Sequence, residues 1–332
     1  MTAWSADGAL VRRVGDAGLL IEFDAVIDPV VNARAVAVAD ALRRQHPPGV
    51  RDVVPTFRSV AVHFDPLTTD VSALEAAIRV AFAAGVDAAA GARHEIPVVY
   101  GGAEGPDLEP LATSLSLSPD VLVGLHAEPD YRVYMLGFLP GFAYLGVLNP
   151  RLDCPRHRQP RLRVPPGSVG LAGRQTGVYP QESPGGWQLV GRTATRMFDP
   201  DRPGATLVAA GDTVRFVRDH TPWPSPQPAL GEAPPDQVPP DQRHVTILAP
   251  GLLTTVQDAG RWGSQDRGVP VAGAMDAWSR RVANAVVGNP ASAAVLEATV
   301  TGPALRFEQD TVCAVTGADL EDRKSTRLNS SH

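Results

Sequence analysis

VPPGSVGLAGRQTGVYPQESPGGWQLVGRT, residues 164–193, breaks into short apolar runs separated by Gly and Pro. None of the runs is long enough for a helix. Gly and Pro at this density set tight turns between short strands. The texture extends both ways, through VYMLGFLPGFAYLG (133–146) before it and ATLVAA (205–210) and TVRFV (213–217) after it. Regular short strands with such turns predict a β-barrel or sandwich over residues 131–217.

Upstream the rhythm changes. LLIEF (19–23) reads as a strand, and Asp28-Pro29 then opens an apolar-periodic run through Gln45. Asp caps a helix N-terminus and Pro suits its first turn. VRDVVP and SVAVHF read as strands, the second placing Val60, Val62 and Phe64 on one face. A second helix is predicted over about Val71 to Ala84, stopped at Gly85, and HEIPVVYG (94–101) as another strand. The order β-α-β-β-α-β is that of a ferredoxin-like split unit. A short helix from Ser118 to His126 follows, with Ser118 as cap. The fold class is therefore α+β, with one domain over 8–219 made of an α/β lobe (about 8–93) and a β-rich lobe (94–219).

Downstream, residues 221–243 contain eight prolines, which marks a semi-rigid linker over about 220–243. HVTILAPG begins a new unit, with a helix from Ala277 to Val287 ended by Gly288-Asn289-Pro290. VLEATV, ALRFE and TVCAVT read as strands. Residues 244–320 are too few to close a barrel's edges, so this second β-rich domain is expected to be partial. The polar stretch 321–332, ending KSTRLNSSH, reads as foreign to it.

The net charge of −6 argues against a broad nucleic-acid footprint, so any anion site is a local patch. Two distant cysteines, Cys154 and Cys313, make neither a disulfide framework nor a metal cluster. There is no run of 18 apolar residues and no signal-peptide pattern, so the cytoplasm is expected, with no membrane partner. Standard phosphate loops, GxSxG elbows, HExxH and CxxC are absent.

One patch stands out. RLDCPRHRQPRLR (151–163) holds five arginines and His157 against Asp153. Guanidiniums bind carboxylate or phosphate bidentately, although the same loop serves equally as a solvated surface paired to acids elsewhere. The glycines that follow let backbone approach a ligand, or simply make barrel turns. His126, alone at a helix end, reads as structural.

These motifs resemble a known family. GFLPGFAYLG, PRHRQPRLRVPPGSVGLAGRQTGVYPQESPGGWQLVGRT and MFDPDRPGATLVAAGDTVRFV are similar to the allophanate-hydrolase-subunit-1 type domain, which is also the B subunit of bacterial 5-oxoprolinase. PGLLTTVQDAGRWGSQDRGVPVAGAMDAWSRRVANAVVGN with VLEATVTGPALRF resembles the N-terminal part of the subunit-2 type, or C-subunit, domain. The resemblance implies a cyclophilin-like barrel in the first domain and the start of another in the second. It implies ATP-dependent opening of 5-oxo-L-proline to L-glutamate, with ATP as co-substrate and Mg2+ allowed beside it. The implied partners are an A subunit and a complete C-type domain. Relatives also include the carboxyl-transfer region of urea carboxylases and inhibitors of a sporulation histidine kinase, which leaves those two readings open. On residues and resemblance together, His157, Arg161 and Gln175 are the candidate catalytic groups. Candidates for substrate or ATP binding are Arg163, Ser168, Thr176, Tyr179, Ser183, Gly185, Gly186, Trp187 and Arg192, with Gln257, Asp258 and Arg261 in the second unit. No metal site is expected.

Overall fold

Strands β1 (Trp4–Ala6), β2 (Ala9–Arg13) and β3 (Gly18–Glu22), helix α1 (Pro29–Gln45), strands β4 (Val50–Pro55) and β5 (Ser59–Phe64), and helix α2 (Val71–Ala83) build the first lobe in the computed structural model. Residues 3–6, 8–84, 91–221 and 244–318 are described; the expected stop at Gly85, most of the linker and the tail at 321–332 lie outside them. Two compact units emerge. The first holds the described residues to 221 together with Trp262–Pro270, and the second holds residues 244–261 and those from Val271 onward.

The cap of α1 works as the sequence predicts, with the Asp28 carboxylate accepting from the Val30 and Val31 amides at 2.8 and 3.1 Å. The sheet runs β1-β2-β3-β5-β4, antiparallel throughout. Val60, Val62 and Phe64 point inward and meet Leu42, Leu74 and Ile78 of the helices. Each fully buried side chain of this size contributes on the order of 1.5–3 kcal/mol.

The split β-α-β order holds for β3, β5 and β4, but the place beside β3 is filled by the N-terminal strand β2. HEIPVVYG does not return to this sheet. It becomes β6 (Arg93–Tyr100), pairs in parallel with a later strand at Thr213–Arg218, and buries Ile96 and Val98 in the second core. Apolar side chains follow the larger core available to them, and strand rhythm carries no address for that choice.

After β6 come α3 (Leu108–Ser114), α4 (Pro119–Ala127), β7 (Asp130–Leu136), β8 (Ala143–Gly146), β9 (Arg161–Val164), β10 (Ser168–Ala172), β11 (Gln175–Val178), β12 (Ser183–Gly185), β13 (Gln188–Arg192) and β14 (Thr213–Arg218). Seven strands, β6 among them, close a barrel in the order β10-β11-β8-β7-β14-β6-β13, with β13 returning to β10. Closure removes the exposed sheet edge. The turn before β10 needs glycine: Gly167 sits at φ +81°, and a Cβ there would collide with the Thr193 carbonyl. ATLVAA does not form the expected strand. It makes one bridge, Thr206 to Phe198, after Ala205 turns at φ 62°.

The second unit contains β15 (Val245–Ala249), β16 (Leu253–Gln257), α5 (Ala277–Val286), β17 (Val295–Thr299) and β18 (Ala304–Phe307). Its strands form two ribbons, β15 with β18 and β16 with β17. TVCAVT is not a strand, because no described strand lies beside it to complete its hydrogen bonds. Among the described residues of this unit only Arg280 and Asn284 are buried, while Ile247, Leu248 and Val256 face outward.

Candidate functional site

The arginine-rich loop meets Asp107 at the start of α3. This carboxylate is 7% exposed. Its Oδ1 accepts from Arg161 Nη2 at 2.6 Å, and its Oδ2 from the Leu189 amide at 2.6 Å. His157 Nε2 lies 3.1 Å from Oδ2. An ionised carboxylate only accepts, so that ring nitrogen carries the proton. Burial works against the Asp107 charge, but Arg161, the Leu189 amide and His157 outweigh it and hold the carboxyl below its ordinary range. The loop is tied on its other side too, by the His157 amide to Gly186 O at 2.7 Å and by Gln188 Nε2 to Pro155 O at 3.0 Å.

The other expected residues are spread around the barrel. Arg163 is exposed and 3.7 Å from Glu182. Arg192 is ion-paired with Glu104 at 3.1 Å and donates to Pro166 O at 2.8 Å. Tyr179 and Trp187 are buried with Phe142 in an aromatic cluster, with ring centroids 5.3–6.4 Å apart. Gly185 lies under Tyr179, where a Cβ would come within 2.5 Å of the phenol oxygen. Gly186 carries the carbonyl that receives the His157 amide. Ser168 and Ser183 are buried, the latter with no hydrogen-bond partner for its hydroxyl. Thr176 belongs to a buried chain: its hydroxyl donates to Gly170 O at 3.1 Å and therefore accepts from His126 Nε2 at 2.9 Å, while His126 Nδ1 accepts from Tyr100 at 2.7 Å. Burial pulls the His126 pKa down to about 3, so its ring is neutral and structural, as its helix-end position suggested.

In the second unit, Gln257 ends β16 and bonds Thr255, Asp258 accepts from the Gly260 amide at 2.7 Å, and the Arg261 amide donates to Val271 O at 2.8 Å. These are turn-forming roles. All three residues belong to the second unit and not to the barrel that carries the other candidates.

Gln175 lies elsewhere in the first unit. It lines a cavity of about 510 Å3 with Ile27, Phe57, Tyr134, Gly146, Val147, Arg156, Ala172, Gly173 and Arg174. Arg174 leads into β11, and donates to Leu148 O at 3.2 Å. Arg156 precedes the anchored His157 and pulls against the burial that raises the phenols of Tyr144 and Tyr179. Among the described residues neither Arg156 nor Arg174 has an acidic partner. Tyr134 is fully buried, with its hydroxyl unpartnered, and its ring stacks on Phe57 at 5.2 Å. A concave apolar wall with a few convergent polar groups is the usual form of a small-molecule site. Sequence reasoning missed Asp107, Tyr134, Phe57 and Arg174. Arg174 alone left a trace, as a cation in the Gly-Arg-Gln turn between two apolar runs.

Comparison with known proteins agrees with this architecture. Residues 9–208 match the family described as carboxyltransferase domain, subdomain C and D, and residues 267–330 match carboxyltransferase domain, subdomain A and B. The chain is 39% identical over 220 residues to the 5-oxoprolinase B subunit of Bacillus subtilis (strain 168), covering 63% of this chain and 92% of that one. Beyond the linker it is 44% identical over 77 residues to the 5-oxoprolinase C subunit of Escherichia coli (strain K12), 23% of this chain and 25% of that protein. The crystal structure of TTHA0988 superposes with a TM-score of 0.74 at 38% identity, over 90% of this chain and 57% of that one. The chain thus spans nearly all of one B-type relative, a quarter of one C-type relative and a little over half of TTHA0988. By its two matched segments, the first B-type and the second C-type, the chain belongs to the carboxyltransferase-domain family.

Proposed function

We propose that this chain is a component of an ATP-dependent 5-oxoprolinase, converting 5-oxo-L-proline to L-glutamate together with an A subunit and a complete C-type domain. The observation that carries the reading is the match along almost the whole of a 5-oxoprolinase B subunit. A five-membered lactam is a poor electrophile. Transfer of the terminal phosphoryl group of ATP to its amide oxygen activates the carbon toward water. The hydrated carbon then expels the ring nitrogen, which opens the ring, and a second water releases phosphate from the resulting acyl phosphate. The first step needs cations and hydrogen-bond donors around developing negative charge.

The residues fit that need unequally. The cavity offers two guanidiniums without acidic partners among the described residues, which suit an anion. His157 and Arg161 are bound to Asp107, so their part is to hold the loop that presents Arg156. Among the described residues no group of three or more His, Cys, Asp or Glu could hold a metal ion, so no step is assigned to Mg2+ held by this chain. No described helix is long and apolar enough to cross a membrane, and the proposed place of work is the cytoplasm.

The test measures ADP and glutamate released from ATP and 5-oxo-L-proline. Turnover is expected only when an A subunit and a complete C-type domain are supplied. No turnover by the assembled complex, with carboxyl transfer to a urea-type acceptor instead, would overturn the reading.

A further inference from the structure

We propose that the cavity of the first unit is the seat of a cyclic amide acid: its carboxylate on Arg156 and Arg174, its amide edge on Gln175, and its ring against Phe57. The assignment rests on the 5-oxoprolinase reading for the identity of the ligand, and on the cavity alone for its chemistry.

Three features point to this class. First, the guanidiniums that line the cavity differ from Arg161, Arg163 and Arg192 of the same stretch, while Arg151 and Arg158, which also lack an acid among the described residues, do not line it. Arg161, Arg163 and Arg192 have Asp107, Glu182 and Glu104 beside them, whereas Arg156 and Arg174 have no acid among the described residues. Two uncompensated cations on one small concave surface repel each other, and an incoming anion relieves both. Second, Tyr134 lines the cavity with its ring stacked on Phe57 at 5.2 Å, and the pair gives a ligand ring an aromatic wall.

Third, Gln175 carries a free carboxamide: its backbone pairs with Ala172 and Gly146, and its side chain has no hydrogen-bond partner among the described residues. A ring amide is held cis, so its N–H and C=O lie on the same edge. A carboxamide presents the complementary C=O and N–H2, and can make two bonds to that edge. Ile27, Phe57 and Val147 supply apolar wall for ring methylenes. A nucleoside triphosphate would also use the arginines, and a carboxamide pairs with an adenine edge as well, so ADP is the competing ligand that the binding experiment separates.

The experiment reads two quantities in parallel. One is binding of 5-oxo-L-proline, 2-pyrrolidinone, L-proline and ADP to the full chain, followed by ligand-observed NMR. The other is KM for 5-oxo-L-proline and for ATP in the complex with an A subunit and a complete C-type domain. 5-Oxo-L-proline should bind at least tenfold better than 2-pyrrolidinone, which lacks the carboxylate, and than L-proline, which lacks the lactam carbonyl. Arg156→Gln and Arg174→Gln should each raise KM for 5-oxo-L-proline at least tenfold, with little change for ATP. Gln175→Leu should erase the preference over L-proline. Arg44→Gln, on α1 and outside the cavity, should change neither constant. Thermal melts of each variant separate lost binding from lost folding. A complex that turns over while both arginine variants keep the 5-oxo-L-proline KM and raise that of ATP would overturn the cavity assignment and leave the function standing. Wild-type complex without turnover would sink the function, while the binding arm would still decide what the cavity holds.

Discussion

Arg156 and Arg161 sit five residues apart in one loop and do opposite things. Arg161 is bound to a buried carboxylate that also holds His157 and a backbone amide. Arg156 faces a cavity with no acid beside it among the described residues. Equal charges on equal side chains thus become, in one case, a structural clamp and, in the other, an available cation. What separates them is whether a partner from a distant segment has already neutralised them.

The largest effect that would test this contrast is on the clamp. Asp107→Ala leaves Arg161 and His157 facing a vacated, largely buried position and the Leu189 amide unpaired. The expected loss of stability is about 3 kcal/mol, since removing one partner of a buried pair strands the others. Denaturant melts read it, and a loss below about 1 kcal/mol would place the clamp among ordinary surface pairs.

Next comes the cavity. Arg156→Gln and Arg174→Gln should change stability by no more than about 0.5 kcal/mol, since neither satisfies a buried acid. Their ligand affinity should nevertheless fall by the equivalent of about 1.5–3 kcal/mol, the worth of a charged hydrogen bond. A variant that loses both together would erase the distinction between the two arginines.

The two regions of the barrel should also separate by pH. His126 is neutral when folded down to about pH 3, whereas in the unfolded chain it takes a proton near pH 6.5. The unfolded state therefore binds more protons in that window, and stability should decline as pH falls from about 6.5 toward 3. Asp107 is depressed in the folded state, so its contribution is present above the unfolded carboxyl pKa of about 3.9 and is lost only as pH falls through the lower folded value. Melting midpoints between pH 7.5 and 4.5 should slope because of His126, and that slope should flatten in His126→Gln. An unchanged slope would move the titration to another group.

The smallest expected effect belongs to Arg163. It is largely exposed and 3.7 Å from Glu182, so Arg163→Gln should cost about 0.5 kcal/mol or less and leave the cavity's affinity unchanged. A tenfold loss of binding would extend the site to the outer face of the loop.

Much of this molecule could be read in advance because its signals are local. Asp28-Pro29 and Ser118-Pro119 open helices where their side chains and rings can act on the adjacent turn. Gly167 must bend where no Cβ fits, and the alternation of Val60, Val62 and Phe64 assigns a face without reference to any other segment. The short Gly/Pro-bounded runs around residues 164–193 carry a β-barrel for the same reason: turn chemistry is decided within a few residues. Pairing is not. The chain alone does not say that β6 leaves the first sheet for the barrel, that TVCAVT lacks a described strand beside it, or that Asp107 meets Arg161 across 54 residues. Gln175 could be picked out as a polar group in a Gly-rich turn, but Tyr134 and Phe57 have nothing local to distinguish them from core aromatics. Only the tertiary fold brings Gln175, Arg174 and Arg156 to one cavity wall. The sequence by itself determined where elements begin, turn and end, because backbone sterics and capping act at short range. Tertiary structure decided which arginine is neutralised and which is free, because charge compensation depends on distances in space that no spacing along the chain records.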